Sequence, residues 1–531
     1  MADADFIIIG AGSTGSALAG KLSESSSASV LLIEAGGPAE GETFEVPSQW
    51  GRQFATKYDW DYVSELEPQL GRRRTYLPRG RALGGTSAMN AMLYVRGAPA
   101  DFDEWESLGA SGWGWKDMLP YFIRSENNVR GASPLHGDQG PVGVGDRVSD
   151  NRLAEAWMES ALKVGLSPND DFNGPDQEGV GYYQLTQTDG KRCSSYAAYV
   201  RDHLDRENLT VMPFRQVTRL LFDGSRVVGV EVEHDGAVES FHAGREVIVC
   251  AGAYNSAQLL MLSGIGPRAH LESLGIAVRA DLPVGENLQD HPGVPLVMAT
   301  DEETLFEAAT PAEWERYRAS GTGILSSNGV EAGALLRTVE GLDNCDVQMF
   351  VNPWPFIGDA RTAPTVNGFT AVVELLRPKS TGTVRLRSNE PTAKPLITHN
   401  HFADPTDIEP IIRGTRTMLE LLATDPVASM DKGKLRWPES TDEDGLRAYI
   451  HANALGYFHP SSTCAMGTVL DGDLKVLGIE GLRVADASAM PTTMRGNPNA
   501  SCMAMGEKAA DMIAAEHGFA EAVGEPAQAA V

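Results

Sequence analysis

The sequence predicts a mixed α/β fold, with a parallel sheet assembled from distant pieces of the chain and an α+β unit inserted between them. Three observations predict it. Strand, glycine turn and helix recur at DFIIIGAGSTGSALAGKLSES (residues 5–25), at REVIVCAGAYNSAQLLMLSGIG (245–266), and at LRVADASAMP (482–491) leading into NASCMAMGEKAADMIAAEH (499–517). The first of these strands, and ASVLLIEAGG after its helix, are continuous apolar runs, the pattern of a strand buried on both faces. Between the passages the pattern changes. LTVMPFRQVTRLLFDGSRVVGVEVEHDGAVESFHA (209–243) reads as antiparallel strands joined by turns at Asp223-Gly224 and Asp235-Gly236. From about 296 to 454, strands (DVQMFVN, FTAVVELL, GTVRLRS) mix with the amphipathic stretch PTDIEPIIRGTRTMLELLATD, which predicts a separate antiparallel sheet flanked by helices.

A chain of 531 residues is too long for one compact core, so two units are expected. Hydrophobic residues make up 42% and charged residues 22%, and the formal net charge is −28. Such acidity argues against a nucleic-acid surface, which needs a basic stripe. The one dense basic cluster, Arg72, Arg73 and Arg74 with Arg79 and Arg81, is assigned to a loop or anion site. Five scattered cysteines without CxxC spacing suggest neither a disulfide framework nor a zinc site and fit a reducing compartment. The first residues, MADADFIIIGAG, lack the basic start of a signal peptide, and no apolar run reaches the roughly 20 residues of a membrane span. A cytoplasmic location is the expectation. The last residues, GFAEAVGEPAQAAV, read as a frayed tail.

The opening turn carries the first chemistry. Gly10-Ala-Gly12-Ser13-Thr14-Gly15 fits GxGxxG after a strand and at the start of a helix, and ASVLLIEAGG then supplies the second strand. Gly10 makes the turn, Gly12 admits a pyrophosphate to the backbone, and Gly15 permits close helix–strand packing. Free N–H groups at the helix start favour phosphate, and Glu34 at the end of the second strand suits a ribose hydroxyl. A Rossmann-like dinucleotide site follows; glycines alone do not choose between FAD and NAD.

Pro78-Arg-Gly-Arg-Ala-Leu-Gly-Gly-Thr-Ser-Ala-Met-Asn90 is a backbone-rich cradle suited to a flat polar cofactor. Together with Gly252-Ala-Tyr-Asn-Ser-Ala-Gln-Leu-Leu-Met-Leu-Ser-Gly-Ile-Gly-Pro267 it closely resembles the two signatures of the glucose–methanol–choline (GMC) flavoprotein oxidoreductases. The resemblance extends to GxGxxG, to Asn287-Leu-Gln-Asp-His291 and to both ends of the chain, and is looser over about 300–450. It implies FAD in an extended pose. Gly10, Gly12, Ser13, Thr14, Gly15, Glu34 and Ala35 would hold the ADP half, with Val217 meeting the adenine through its backbone. Arg81, Gly84, Gly85, Ser87, Asn90, Ala91 and Met92 would pass near pyrophosphate and flavin, with Ala251, Gly252, Asp486, Ala487, Asn497, Pro498 and Asn499 completing the set. The turn at Pro498-Asn499 opens the last helix, whose positive end suits the electron-rich edge of a reduced flavin.

The implied domains are a discontinuous Rossmann-like FAD-binding domain (1–155, 190–295 and 455–531) and a substrate-binding domain (156–189 and 296–454). The implied reaction is oxidation of a primary alcohol to an aldehyde, for which a base takes the hydroxyl proton and flavin N5 the hydride. His459, in GYFHPSSTCAMG, is assigned as base because a histidine titrates near working pH. Asn497, in GNPNAS, resembles the family's second polar group and would orient the alcohol oxygen. Other polar residues receive structural roles: His291 in support of the cofactor domain, His136 in a loop, and Cys464 and Cys502 in packing. His399 and His401 have the spacing of an HxH metal pair, but no further ligand is visible and no metal is expected.

Two departures from choline-oxidising members matter. Met89 stands where they carry a histidine bonded to flavin, so non-covalent FAD is expected. Gly293 stands where they carry a glutamate that pairs with trimethylammonium. The pocket residues Tyr94, Phe350, Trp354, Phe356, Tyr457 and Phe458 are apolar or aromatic and point to an uncharged aliphatic or aromatic alcohol. Oxygen is the expected acceptor. Alternatives are a dehydrogenase using a quinone or other acceptor, and an FAD-containing hydroxynitrile lyase, which shares the fold without net redox chemistry. The oligomeric state is not read from the sequence.

Overall fold

The computed structural model describes residues 2–25, 27–358, 361 and 363–519. Most of the tail expected after residue 517 lies outside the described residues.

Two seven-stranded sheets organise the chain. In the first, Leu209–Met212, Val30–Ile33, Ala4–Ile9, Ala237–Val249 and Leu482–Val484 run parallel, in that spatial order. All three strand–turn–helix passages contribute to it. Ala237–Val249 is long enough to serve two layers. Its polar first half pairs antiparallel with Arg226–His234, which pairs with Gln216–Asp223, while its apolar last residues are buried beside Ala4–Ile9. The turns fall where Asp223-Gly224 and Asp235-Gly236 predict them. Leu209–Met212 differs from the sequence expectation. It is a parallel edge strand beside Val30–Ile33, and Pro213 separates it from the antiparallel meander.

Helix Ser13–Ser25 leaves the glycine turn and crosses the final helix Asn499–Glu516 at close range. A Cβ on Gly506 would sit 2.6 Å from the Thr14 carbonyl oxygen, so only glycine allows the crossing. The cofactor turn is thereby packed directly against the C-terminal segment.

The second sheet is antiparallel, ordered Gly433–Arg436, Pro292–Ala299, Gly368–Leu375, Val347–Asn352, Ala332–Leu336 and Gly179–Tyr182, with Leu455–Gly456 added beside Pro292. GTVRLRS does not join it; Thr383–Arg385 pairs with Leu396–Thr398 in a small separate ribbon. Period-2 alternation decides what each face carries. Along Gly368–Leu375, Phe369, Ala371, Val373 and Leu375 pack into the core under helices Arg152–Lys163 and Ile408–Leu422. Val372 belongs to the cluster on the opposite face, with Met92 and Phe350. Glu374 shares Val372's parity and therefore faces away from the helices, toward the loop carrying His459.

Candidate active site

A long groove runs from the end of strand Val30–Ile33 to the loop carrying His459. Its floor is the glycine turn. Gly10 has φ 97°, and a Cβ there would lie 2.5 Å from the Cys250 carbonyl oxygen, where two parallel strands nearly touch. A Cβ on Gly85 would come 2.7 Å from Gly12 Cα, so the two glycine loops meet backbone to backbone. Beyond them the Ser13–Ser25 helix offers its first N–H groups, and the buried Thr14 hydroxyl there has no hydrogen-bond partner. Ser13 Oγ donates to Asn499 Oδ1 at 2.8 Å, linking the starts of the first and last helices. Glu34 accepts the Ala11 and Gly36 N–H groups at 3.0 and 2.8 Å, and burial pushes its pKa up to about 7. Val217, Ala251, Gly252, Asn90 and Ala91 complete the walls. A narrow backbone cradle, an unpartnered hydroxyl at a helix start and an acidic group at the strand end are what an extended dinucleotide requires.

Asp486 also lines the groove, but its carboxylate is occupied within the protein. It accepts from Gly252 N (2.8 Å) and Ser256 Oγ (2.5 Å) with one oxygen, and from Ser488 N and Oγ (2.8 and 2.5 Å) with the other. It thus fixes the start of helix Gly252–Leu262.

At the far end His459 is held from four directions. Its backbone N–H donates to Asp290 Oδ1 at 2.7 Å, and the same oxygen accepts the His291 N–H at 2.9 Å. The preceding residue, Phe458, has φ 70°, unusual for a bulky side chain, and its carbonyl accepts from Arg79 Nη2 at 2.7 Å. The imidazole lies with Nδ1 3.1 Å from Glu374 Oε1, and His291 Nδ1 approaches that oxygen at 3.0 Å. Glu374 is 1% exposed. Burial alone would raise its pKa; hydrogen bonds from His291 and His459 outweigh burial and hold the carboxyl below the ordinary range. A carboxylate accepting from Nδ1–H keeps the proton on that nitrogen and makes His459 Nε2 the nitrogen that accepts. Nε2 lies 3.1 Å from Asn497 Nδ2, and Asn497 Oδ1 is buried without a partner.

The Asn497 loop is itself anchored. The fully buried Asp101 accepts the Arg495 N–H at 2.7 Å and pairs with its guanidinium, Trp105 Nε1 donates to Thr492 O at 3.0 Å, and Gln289 Oε1 accepts the Thr493 N–H at 2.9 Å. Base and amide therefore come from different segments, each clamped to its own support.

Residues 4–293 match the N-terminal part of the family described as GMC oxidoreductase, and residues 378–506 match its C-terminal part. The chain belongs to the GMC oxidoreductase family. It is 38% identical over 537 residues to an oxygen-dependent choline dehydrogenase of Rhizobium etli, covering 98% of both chains. Among solved structures it resembles pyridoxine 4-oxidase from "Mesorbium loti" (TM-score 0.87, 29% identity, 96% of this chain and 99% of that one). It also resembles a substituted formate oxidase of Aspergillus oryzae (TM-score 0.90, 29% identity, 98% and 99%). This GMC chain is an FAD-dependent oxidoreductase acting on alcohols. When bound, FAD supplies the hydride acceptor.

Of the residues singled out from sequence, Tyr457, Phe458, Phe350 and Phe356 line the groove beside His459, Asn497, Met92 and Ala487. Tyr94 and Trp354 do not. Tyr94 is fully buried with its ring under the Arg96 guanidinium (5.6 Å), and Trp354 lies on the chain between Asn352 and Thr370, to which its backbone is bonded. Arg81 is outside the groove, stacked 5.0 Å over Trp60 and close enough to Glu34 to lower its pKa. Gly15 and Gly84 also lie behind the wall, and Ser87 Oγ donates to Gly84 O at 2.6 Å. Sequence reasoning missed Glu374, Arg79, Trp50 and Phe54. The last two extend the aromatic wall, with Trp50–Phe54 and Phe54–Phe458 ring centroids at 5.5 and 6.4 Å. Glu374 did leave a signal, an acid inside the apolar run FTAVVELL. Among the described residues no helix is long and apolar enough to cross a membrane.

Proposed function

We propose that this GMC enzyme oxidises an uncharged primary alcohol, aliphatic or aromatic, to the aldehyde, with oxygen as acceptor and FAD held without covalent attachment. The observation that carries the reading is His459 Nε2 facing the Asn497 amide at 3.1 Å, at the aromatic end of a groove fitted to a dinucleotide. His459 Nε2 takes the hydroxyl proton, Asn497 holds the alcohol oxygen, and Glu374 stabilises the imidazolium that forms. We assign the parallel sheet and its helices to cofactor binding and the antiparallel sheet to substrate binding.

The substrate class rests on what surrounds the base. Phe350, Phe356, Tyr457, Phe458, Trp50 and Phe54 present rings, and the one carboxylate beside His459 in the groove lining, Glu374, is engaged with two histidines. A Cβ at Gly293 would lie 2.5 Å from the Tyr457 ring, so no acidic side chain fits at that position. Choline is the second reading. The Rhizobium etli relative is named for it, and an aromatic wall attracts a quaternary ammonium by cation–π contact.

Anaerobic mixing of holoenzyme with benzylic, aliphatic and amino alcohols tests both readings. Bleaching of flavin by benzylic or aliphatic alcohols, with choline much slower, is the expected result; choline as the fastest reductant reverses the order. No bleaching by any alcohol, together with cyanohydrin cleavage, points instead to a lyase. Readmission of air should then yield peroxide stoichiometric with aldehyde; its absence indicates another acceptor. Met89, in the groove wall, offers a thioether and no imidazole. Acid or heat denaturation should therefore release the yellow colour into the supernatant, and flavin retained on the polypeptide contradicts non-covalent binding.

A further inference from the structure

Two histidine–carboxylate clusters adjoin at the His459 end of the groove, joined where Asp290 Oδ1 accepts the His459 N–H. In the first, His291, Glu374 and His459 satisfy one another, Thr493 Oγ1 lies 3.2 Å from His291 Nε2, and Asn497 faces His459 Nε2. The second comprises Asp290, His399 and His401, and it is not satisfied. Asp290 Oδ2 and His401 Nε2 are buried without a hydrogen-bond partner, and the His399 nitrogen turned toward Asp290, Nε2, meets only the Tyr254 hydroxyl. The three residues are 2%, 2% and 3% exposed, which removes bulk water as the missing partner. A buried polar atom left unpaired loses its hydration with nothing in exchange, so a partner is required to meet them.

We propose that Asp290, His399 and His401 bind one zinc-class dication, behind the backbone of His459. One ligand atom from each of the three residues lies within 4.8 Å of the other two, with His399 Nε2 3.5 Å from Asp290 Oδ2. That spacing suits bonds of roughly 2.0–2.2 Å to one metal. A Cβ on Gly456 would overlap Asp290 Oδ2 and lie 3.1 Å from His401 Nε2, so both atoms face the same spot and the glycine leaves it open. The Tyr254 hydroxyl stands 2.9 Å from His399 Nε2 and would give up that hydrogen bond when the nitrogen takes the metal.

The surroundings fit a cation. Asp290 Oδ1 is fixed by two backbone N–H groups, which orients Oδ2. Glu67 accepts the N–H groups of His399 and Asn400 at 2.8 Å each, and its Oε1 stands 3.9 Å from His399 Nδ1. Asp290 and Glu67 are both buried carboxylates, and a dication would offset their charge. Sequence reading gave the HxH pair no metal because its carboxylate partner arrives from QDHP, far upstream. Through Asp290 Oδ1 the metal would stiffen the main chain at His291 and His459.

The test uses full-length holoenzyme bearing a tag without histidine. After dialysis it should contain about one zinc per chain, and wild type stripped with a chelator should take up about one equivalent of zinc or cobalt(II). Bound cobalt should show the intense visible bands of a four-coordinate nitrogen–oxygen site, and X-ray absorption should count two imidazole ligands. His401→Gln, checked for folding by its flavin spectrum, should bind at least about 10-fold more weakly. If stripped wild type takes up neither metal, or if H401Q matches wild type, the proposal falls and an enclosed water is the occupant. Should H401Q not fold, the wild-type titration and ligand count decide alone.

Discussion

Replacing His459 with alanine is expected to lower alcohol-dependent flavin reduction by about 10²–10⁴-fold, the usual contribution of a positioned general base. The loss should fall on the rate of reduction at saturating alcohol rather than on flavin content. The glycine turn at Gly10–Gly15, the Gly85 loop and Glu34 are supported independently of His459. The neighbours cannot substitute for the base. Asn497 has no proton affinity at neutral pH, and His291 has Nδ1 on Glu374 and Nε2 beside Thr493, fully buried. Anaerobic stopped-flow spectroscopy of the FAD-loaded variant reads the effect, with its absorbance ratio confirming occupancy. A reduction rate within tenfold of wild type would remove His459 from the chemistry.

How much of this was legible before the fold was known depends on the distance over which each signal acts. GxGxxG, the strand before it and Glu34 form a local unit, and local sequence dictates its geometry. Glu374 needed one more step. Its identity is anomalous in an apolar strand, but its partners follow from parity along Gly368–Leu375 and from which face that sheet turns to the helices. No local rule supplies that information. Tyr94 shows the opposite limit: an aromatic residue close in sequence to the cradle reads as part of the pocket, while the chain turns at Met92 (φ 62°) and carries Tyr94 into the core. Arg79 reads as part of a basic cluster, yet it is half-buried and bonded to the carbonyl of the strained Phe458, 379 positions further along the chain.

Glu374→Gln is expected to reduce turnover by about 10–100-fold, the range seen when the orienting partner of a histidine is lost. A glutamine keeps the shape and can still accept one hydrogen bond, but it removes the charge that favours a protonated imidazole. The step in which His459 holds a proton is then less favourable, and the acidic limb of the kcat profile should move to lower pH. KM should change little, because Glu374 is directed at the histidines, whereas the proposed contacts to the alcohol are His459 Nε2, Asn497 and the aromatic wall. Glu374→Leu asks a different question. It leaves two buried imidazole donors facing an apolar side chain, which should destabilise the fold by about 2–4 kcal/mol, read as a lower melting midpoint. If Glu374 only packed the sheet, both variants would lower stability and neither would move the pH profile. A shift in E374Q at unchanged flavin content therefore separates a carboxylate that tunes the base from one that fills space.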